Sequence, residues 1–385
     1  MARPFSFSSS PSQSQLQSQP QPLPALDAIS TCVAFIYRVL RSLVAVSKRA
    51  AVDVAPAGIT FSVEDSKACQ AHAFLDKSFF SSYVCAAGAR GEHEGEEENS
   101  GVKLSIQLNA LVECFQIFGN DLPDTQAQQN RPMKQSGYNE SFATTAAASS
   151  EDNHPRSFIG GSSVCKLRYN GPGAPFILML DEGAVTTTCE FLTADVDDNG
   201  TDGGEETIVL AADALQLTAI MKPQYLADVL RELDAPGIEP ALTVRAARAT
   251  STASAALVFA SRGDLGSVEW SATKDRNVIE SFVMPEHVLL LEYTYNYKMI
   301  QHVREALKLA TKISLRIDVD GVMSIQSMCD VGDGRKAYID FRFLPMEEDE
   351  DEDERVLRTQ TQRKTQTQTQ ATDLFIFDDD EDEGE

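Results

Sequence analysis

The clearest alternation of hydrophobic and polar positions lies at 296–343. Residues 297–311 read as a helix: on a 100° wheel Met299, Ile300, Val303, Ala306, Leu307 and Ala310 share one face. Lys298, Arg304, Lys308 and Lys312 fall opposite, with Gln301. Three strands follow at 313–318, 322–328 and 337–343, with Asp320-Gly321 as a tight turn between the first two. A helix that buries one stripe on a sheet and shows a row of cations on the other fits a polyanion.

A second such helix is predicted at 31–46. Phe35, Ile36, Val39, Leu40, Leu43 and Val46 take its inner face, while Arg38, Arg41, Lys48 and Arg49 cluster outside. The stretch carries arginines and is too short to span a bilayer comfortably, so a membrane role is not expected. Ahead of it no strand is legible, because 1–24 is rich in Ser, Gln and Pro and reads as disordered, without the apolar run of a secretory signal. Beyond it the pattern is β at 58–64, 70–75 and 79–85, then a mostly apolar helix at 108–118 ended by Gly119. Strands resume at 164–169, 176–180 and 185–192. Further on come a strand-like run at 208–217, a helix at 222–233 with Pro223 in its first turn, and strands at 242–246, 257–261, 267–271 and 279–284.

Read in order, the elements repeat. A helix, about four strands, a second helix and three strands run from 31 to 192, and the same order runs from 222 to 343. The hairpin at Glu182-Gly183 recurs 138 positions later as Asp320-Gly321. Periodicity alone leaves open two unrelated α+β domains. The expected domains are 29–194, with flexible insertions at 86–100 and 120–163, and 208–345. An acidic linker at 195–207 joins them, and disordered tails occupy 1–28 and 346–385. The linker spaces Asp195, Asp197, Asn199 and Glu206 faintly like a calcium loop, but no helix clearly precedes it, and a solvated linker is preferred.

Charge sharpens this picture. The 385 residues carry a formal net charge of −25, which at first argues against nucleic acid. The excess is local: 347–385 holds 16 acids against 4 bases, 91–100 holds five Glu, and 195–206 holds six acids. Without these three stretches the remainder stands at −2, so basic faces still count. Seven cysteines scattered singly fit buried thiols in a reducing compartment better than disulfides or zinc.

Six stretches, in order, carry a resemblance. They are GITFSVEDSKACQAHAFL (58–75), LNALVECFQIFG (108–119), YNGPGAPFILMLDEGAVTTTCEF (169–191), LADVLRELD (226–234), FASRGDLGSVEWSATKD (259–275) and YKMIQHVREALKLATKISLRIDVDGVMSIQSM (297–328). Any one is a weak motif; together they resemble the Rad-one subunit of the nine-one-one DNA-damage checkpoint clamp. The resemblance implies an α+β, PCNA-like sliding-clamp fold of two similar domains, with helices lining one face and β-sheets outside. It implies a non-catalytic nuclear protein that joins Rad-nine-like and Hus-one-like subunits in a heterotrimeric ring around double-stranded DNA. A clamp loader would place that ring at damage, where it supports signalling by an ATR-type kinase and DNA repair, with no cofactor and no metal.

By the same resemblance, Arg38, Arg41, Lys48, Arg49, Lys298, Arg304, Lys308 and Lys312 would face DNA, attracting phosphates without reading bases. Subunits would join through edge strands, with Val185, Thr187, Cys189 and Phe191 at the first domain's edge and Val268 and Trp270 at the second's. In the tail, Thr359, Thr361, Thr365, Thr367 and Thr369 each precede Gln, as do Ser12, Ser14 and Ser18 near the start. Such clusters resemble substrates of ATM/ATR-type kinases, each phosphate adding up to about −2; Gln-rich low complexity produces the same dipeptides by chance. Two alternatives from other classes remain: a homotrimeric replicative-type clamp and a metal-dependent 3′-5′ exonuclease. The second needs carboxylates converging on two metals, and only Asp318, Asp320 and Asp340 offer themselves.

Overall fold

The computed structural model describes residues 24–85, 101–118, 163–194, 207–234, 241–248, 256–263, 266–273, 278–331 and 334–346. Residues 1–23 of the expected 1–28 tail, the insertions 86–100 and 120–162, the acidic linker 195–206 and the Thr-Gln tail from 347 lie outside these residues, whereas 26–28 of the expected disordered tail belong to a strand. The first half of the chain runs β1 (Leu26–Ser30), α1 (Val33–Val44), β2 (Arg49–Ala55), β3 (Gly58–Asp65), β4 (Cys69–Asp76), β5 (Ser82–Cys85), β6 (Val102–Gln107), α2 (Leu108–Phe118), β7 (Val164–Tyr169), β8 (Phe176–Asp181) and β9 (Thr186–Phe191). The second half runs β10 (Leu215–Met221), α3 (Pro223–Glu232), β11 (Ala241–Ala247), β12 (Ala256–Gly263), β13 (Gly266–Thr273), β14 (Ile279–Val283) and β15 (Leu290–Asn296). It closes with α4 (Tyr297–Ile300), a 3-10 turn, α5 (Arg304–Leu309), β16 (Ala310–Asp318), β17 (Met323–Asp330) and β18 (Lys336–Phe343).

Each half is therefore a strand, a helix, five strands, a helical segment and three strands. The strand orders repeat as well. β5-β1-β7-β8-β9 recurs as β14-β10-β16-β17-β18, and β4-β3-β2-β6 recurs as β13-β12-β11-β15. The halves differ from the predicted pattern in three strands it missed, β2, β6 and β15, and in the strand that opens each half. β1 is LDAIS, whose Leu26, Ala28 and Ser30 are fully buried while Asp27 pairs with Lys166 at 2.9 Å. Five residues of alternation were hidden by the Gln- and Pro-rich run that precedes them. The strand-like run at 208–217 is irregular up to a turn at 212–213, and the strand itself begins at Leu215.

By compactness the chain divides into two units. The first holds the described residues up to Thr207 together with His302–Ile313 and Gln326–Phe341; the second holds Ile208–Gln301, Ser314–Ile325 and the residues from Arg342 onward. In the first unit α1 buries Val33, Ile36, Val39, Leu40 and Leu43, the spacing of one helical stripe, and packs on α2, α5 and β4. α2 contributes Leu108, Leu111, Val112 and Phe115 to the core. In the second unit α3 buries Leu226, Val229 and Leu230, and α4 packs on β11 and β15. Tyr297 anchors α4: its buried hydroxyl donates to the Leu230 carbonyl, and the Asn296 side chain caps the helix by accepting from Lys298 N at 3.0 Å.

The predicted helix at 297–311 is shorter and interrupted. Residues 301–303 tighten into the 3-10 turn, and the helix stops at Leu309. Ala310, Thr311 and Lys312 belong to β16 instead, where the Thr311 hydroxyl donates to the Met328 carbonyl at 3.0 Å. The β-branched residues Thr311 and Ile313 fit a pleated strand better than a helix end, and pairing in the sheet decided the boundary.

The Asp320-Gly321 turn forms as its sequence predicts. Gly321 has φ +77°, Gly321 N donates to Asp318 O at 3.2 Å, and a Cβ at Gly321 would come within 2.6 Å of the Tyr293 ring. Gly321→Ala should therefore lower unfolding free energy by about 2–3 kcal/mol, from left-handed strain plus overpacking. The urea midpoint of purified variant and parent measures this; an unchanged midpoint would show that Tyr293 moves aside freely.

Candidate nucleic-acid interface

Four of the eight predicted DNA-facing cations sit on two packed helices of the first unit. Arg38 and Arg41 are on α1, Arg304 and Lys308 on α5, and the two helices touch. Arg41 and Lys308 are exposed, and Arg38 and Arg304 half-buried. The wheel places them opposite the buried stripes, and the burial agrees, because Ile36, Leu40, Ala306 and Leu307 take the inner positions. The field is not uniformly positive. Lys308 donates to Glu305 at 2.5 Å, an exposed i,i+3 pair, and α2 brings an exposed Glu113 and no cation.

Three others depart from the helical expectation. Helix α1 ends at Val44, so Lys48 lies in the turn after it and Arg49 is the first residue of β2. Lys312 is on β16. All three are exposed, but their side chains are set by a turn and by strands, not by a helix wheel. The eighth, Lys298, is exposed on α4 in the second unit. That unit's α3 shows Arg231 bound to Asp228 at 2.8 Å, so its outer face is locally neutral.

Beside α5 lies a titratable contact. His302 Nε2 is 3.8 Å from Asp65 Oδ2. Burial lowers the His302 pKa below its ordinary 6.5, against an opposing pull from Asp65. The folded chain thus favours neutral imidazole, and the unfolded chain binds more protons as pH falls through 6.5. Stability should be complete above that pH and decline below it. In His302→Gln that part of the slope between pH 7 and pH 5.5 should vanish, which thermal melts across the range would read; an identical slope in both proteins would remove His302 as its source.

The two strands expected at subunit edges do end their sheets: β9 beyond β8, and β13 beyond β12. Most of the side chains named at these edges turn toward the sheet interior. On β9, Thr187, Cys189 and Phe191 pair with the buried Leu180, Leu178 and Phe176, and so turn inward toward the face covered by α2. Phe191 is buried, and Val185, 60% exposed, lies just before the strand. The outward set is Thr186, Thr188 and Glu190, which the period-2 alternation could have identified once the buried partner strand was known. On β13, Trp270 is half-buried across from Phe259, with ring centroids 6.0 Å apart, and Val268 shares that side; Ser267, Glu269 and Ser271 face out. Among the described residues no strand pairs with the outer side of β9 or of β13.

Of the acidic residues weighed for catalysis, Asp318 has structural work. Asp318 is fully buried, and its carboxylate accepts from Ala211 N at 3.0 Å, Asp320 N at 3.1 Å and Val322 N at 2.9 Å. Asp181 does the same on a smaller scale in the first unit, accepting from Gly183 N at 3.1 Å. A carboxylate held by three backbone amides is a turn-forming anchor. Asp320 is exposed beside it.

Comparison with known proteins places these features in a family context. The Rad1 family model, described as "Repair protein Rad1/Rec1/Rad17", matches residues 25–329. The DNA damage checkpoint control protein rad1 of Schizosaccharomyces pombe is 29% identical over 324 residues, covering 83% of this chain and 86% of that protein. The cell cycle checkpoint protein RAD1 of Mus musculus is 24% identical over 293 residues, 76% and 82% of the two chains. Among solved structures, the proliferating cellular nuclear antigen of Entamoeba histolytica superposes with a TM-score of 0.56 at 11% identity, covering 84% of this chain and all of that one. The fold is that of the PCNA-like clamps.

Proposed function

The chain belongs to the Rad1/Rec1/Rad17 repair-protein family, and from that premise we propose that it is a non-catalytic subunit of a heterotrimeric DNA-damage checkpoint clamp. The ring encircles duplex DNA in the nucleus, and its other two subunits are Rad-nine-like and Hus-one-like chains. A clamp loader places it, and an ATR-type kinase pathway reads it. The S. pombe relative, a DNA damage checkpoint control protein by name, supports the checkpoint setting. Residues 195–207 link the two clamp domains in this reading, and the Thr-Gln sites of the tail are kinase substrates.

The observation that carries the DNA-binding part is the packing of α1 on α5, which gathers Arg38, Arg41, Arg304 and Lys308 in one helix layer of a clamp fold. Lys48, Arg49, Lys298 and Lys312 extend the cationic set. Cations on such a layer exchange counterions for phosphates with no base contact, so binding is indifferent to sequence and the ring can slide. The free backbone of β9 and β13 supplies the means of closing the ring by strand addition.

Topology offers the direct test. Loaded on a nicked circular plasmid, the assembled complex should stay with the DNA through a wash at moderate salt and be released when the plasmid is cut once. Loss at the same rate from circular and linear DNA would defeat encirclement.

A further inference from the structure

A strand added to a sheet edge lays its side chains beside the row that the edge strand already shows, so that row selects the newcomer. On β9 the open row is Thr186, Thr188 and Glu190, all exposed; on β13 it is Ser267, Glu269 and Ser271, also exposed. The two rows are alike, each with two small hydroxyls and one carboxylate. A hydroxyl both donates and accepts and so tolerates most neighbours, which leaves the carboxylate as the part of each row that discriminates. Glu190 lies opposite Ile177 on β8, and among the described residues it forms no ion pair. Glu269 stands opposite Ala260 and is met at 2.6 Å by Arg245, which reaches it across β12 from β11. That pair approaches from within the sheet and leaves Glu269 exposed at the edge.

Each strand has one covered face and one open face. A β9 strand added to β13 therefore keeps both apolar sets covered only when open row lies beside open row. Between two copies of this chain that arrangement brings the carboxylates together. With the rows in full overlap, in either strand direction, Glu190 stands opposite Ser267 or Ser271 and is a diagonal neighbour of Glu269. A slip of one row position toward Glu269 puts the two directly opposite. Like charges at such positions oppose pairing, and a closed ring of three copies would repeat the contact three times.

We propose that Glu190 and Glu269 are partner-selecting residues: they set this chain against a second copy of itself and favour added strands that bring Lys or Arg beside them. The proposal rests on the reading of β9 and β13 as subunit edges, and it names the chemistry of the strand that each edge accepts. Repulsion in the wrong pairing and attraction in the right one together make the discrimination. A cross-strand charge pair shifts association by up to roughly fivefold, so turning repulsion into attraction changes one contact by about tenfold. Over the three contacts of a closed ring the change is about a thousandfold. Because both carboxylates are exposed, salt weakens the selection.

The test is charge reversal in the full-length chain, read by sedimentation velocity at about 50 mM and about 500 mM salt. Glu190→Lys brings a cation beside Glu269 of the next copy. The lone variant should self-associate at the lower salt, at concentrations where the parent stays monomeric, and disperse at the higher. Adding Glu269→Lys makes the charges alike again and should return the chain to monomer. Co-expressed with Rad-nine-like and Hus-one-like subunits, Glu190→Lys should enter their complex about tenfold less than the parent. Self-association that persists in the double variant would overturn the selecting role. So would a Glu190→Lys chain of unchanged circular dichroism that stays monomeric at low salt and joins the complex as the parent does; the edge assignment would then stand without it. A parent that joins neither partner would remove the edge reading itself, and this proposal with it.

Discussion

Replacing Asp318 by Ala should lower the unfolding free energy by about 3–5 kcal/mol, the largest loss expected from any single polar side chain described above. Its carboxylate is fully buried and serves three backbone N–H groups at 2.9–3.1 Å. Two of these belong to the 318–322 turn, and the third, from Ala211, fastens the segment that leads into β10. A bond to a charged acceptor contributes roughly 1.5–3 kcal/mol, and bonds sharing one carboxylate do not add fully. Truncation also strands the amides. Asp318→Asn keeps an oxygen but replaces the other acceptor with a donor facing an N–H, so it should recover little. Asp320→Asn, exposed beside the same turn, should shift the denaturation midpoint hardly at all. Equal effects at 318 and 320 would show that the buried carboxylate is not the anchor.

The second large effect falls on DNA. In the assembled complex, Arg41→Glu with Lys308→Glu should reduce retention on DNA at about 100 mM salt by tenfold or more, and flatten the dependence of binding on salt. Both side chains are exposed, and Lys308 gives up only an exposed pair with Glu305, so the melting temperature should hardly move. Unchanged retention with unchanged assembly would mean that α1 and α5 do not face the duplex. A weaker reversal is expected at Lys312→Glu, because that residue leaves β16 and not a helix.

Much of the fold was legible because the signals were of the kind a single chain can carry. The α1 stripe of Ile36, Val39, Leu40 and Leu43 and the Asp320-Gly321 turn both depend on neighbours close in sequence, and both formed where the pattern put them. The doubling of the strand, helix, five-strand, helix, three-strand order could be glimpsed in the recurrence of one hairpin. It became whole only with β1, β2, β6 and β15 in place. Those strands are short or follow closely on other elements, and β1 is masked by the Gln and Pro before it. The helix end at Leu309 was not legible, since Ala310, Thr311 and Lys312 continue the wheel and only pairing in the sheet draws them into β16.

The site shows the same division. Arg38, Arg41, Arg304 and Lys308 followed from helix periodicity, whereas Lys48, Arg49 and Lys312 were extrapolated past helix ends that tertiary contacts moved. The edges of β9 and β13 came from the family resemblance, but their facing did not. Thr187, Cys189 and Phe191 turn inward because β8 buries Phe176, Leu178 and Leu180 beside them, which no local pattern states.

The most direct measurement is the composition of the assembly the chain enters. Co-expressed with a Rad-nine-like and a Hus-one-like subunit and analysed by native mass spectrometry, it should be recovered in a 1:1:1 complex and remain a monomer when expressed alone. A homotrimer of the lone chain, or failure to associate with both partners, would contradict a subunit of a heterotrimeric clamp.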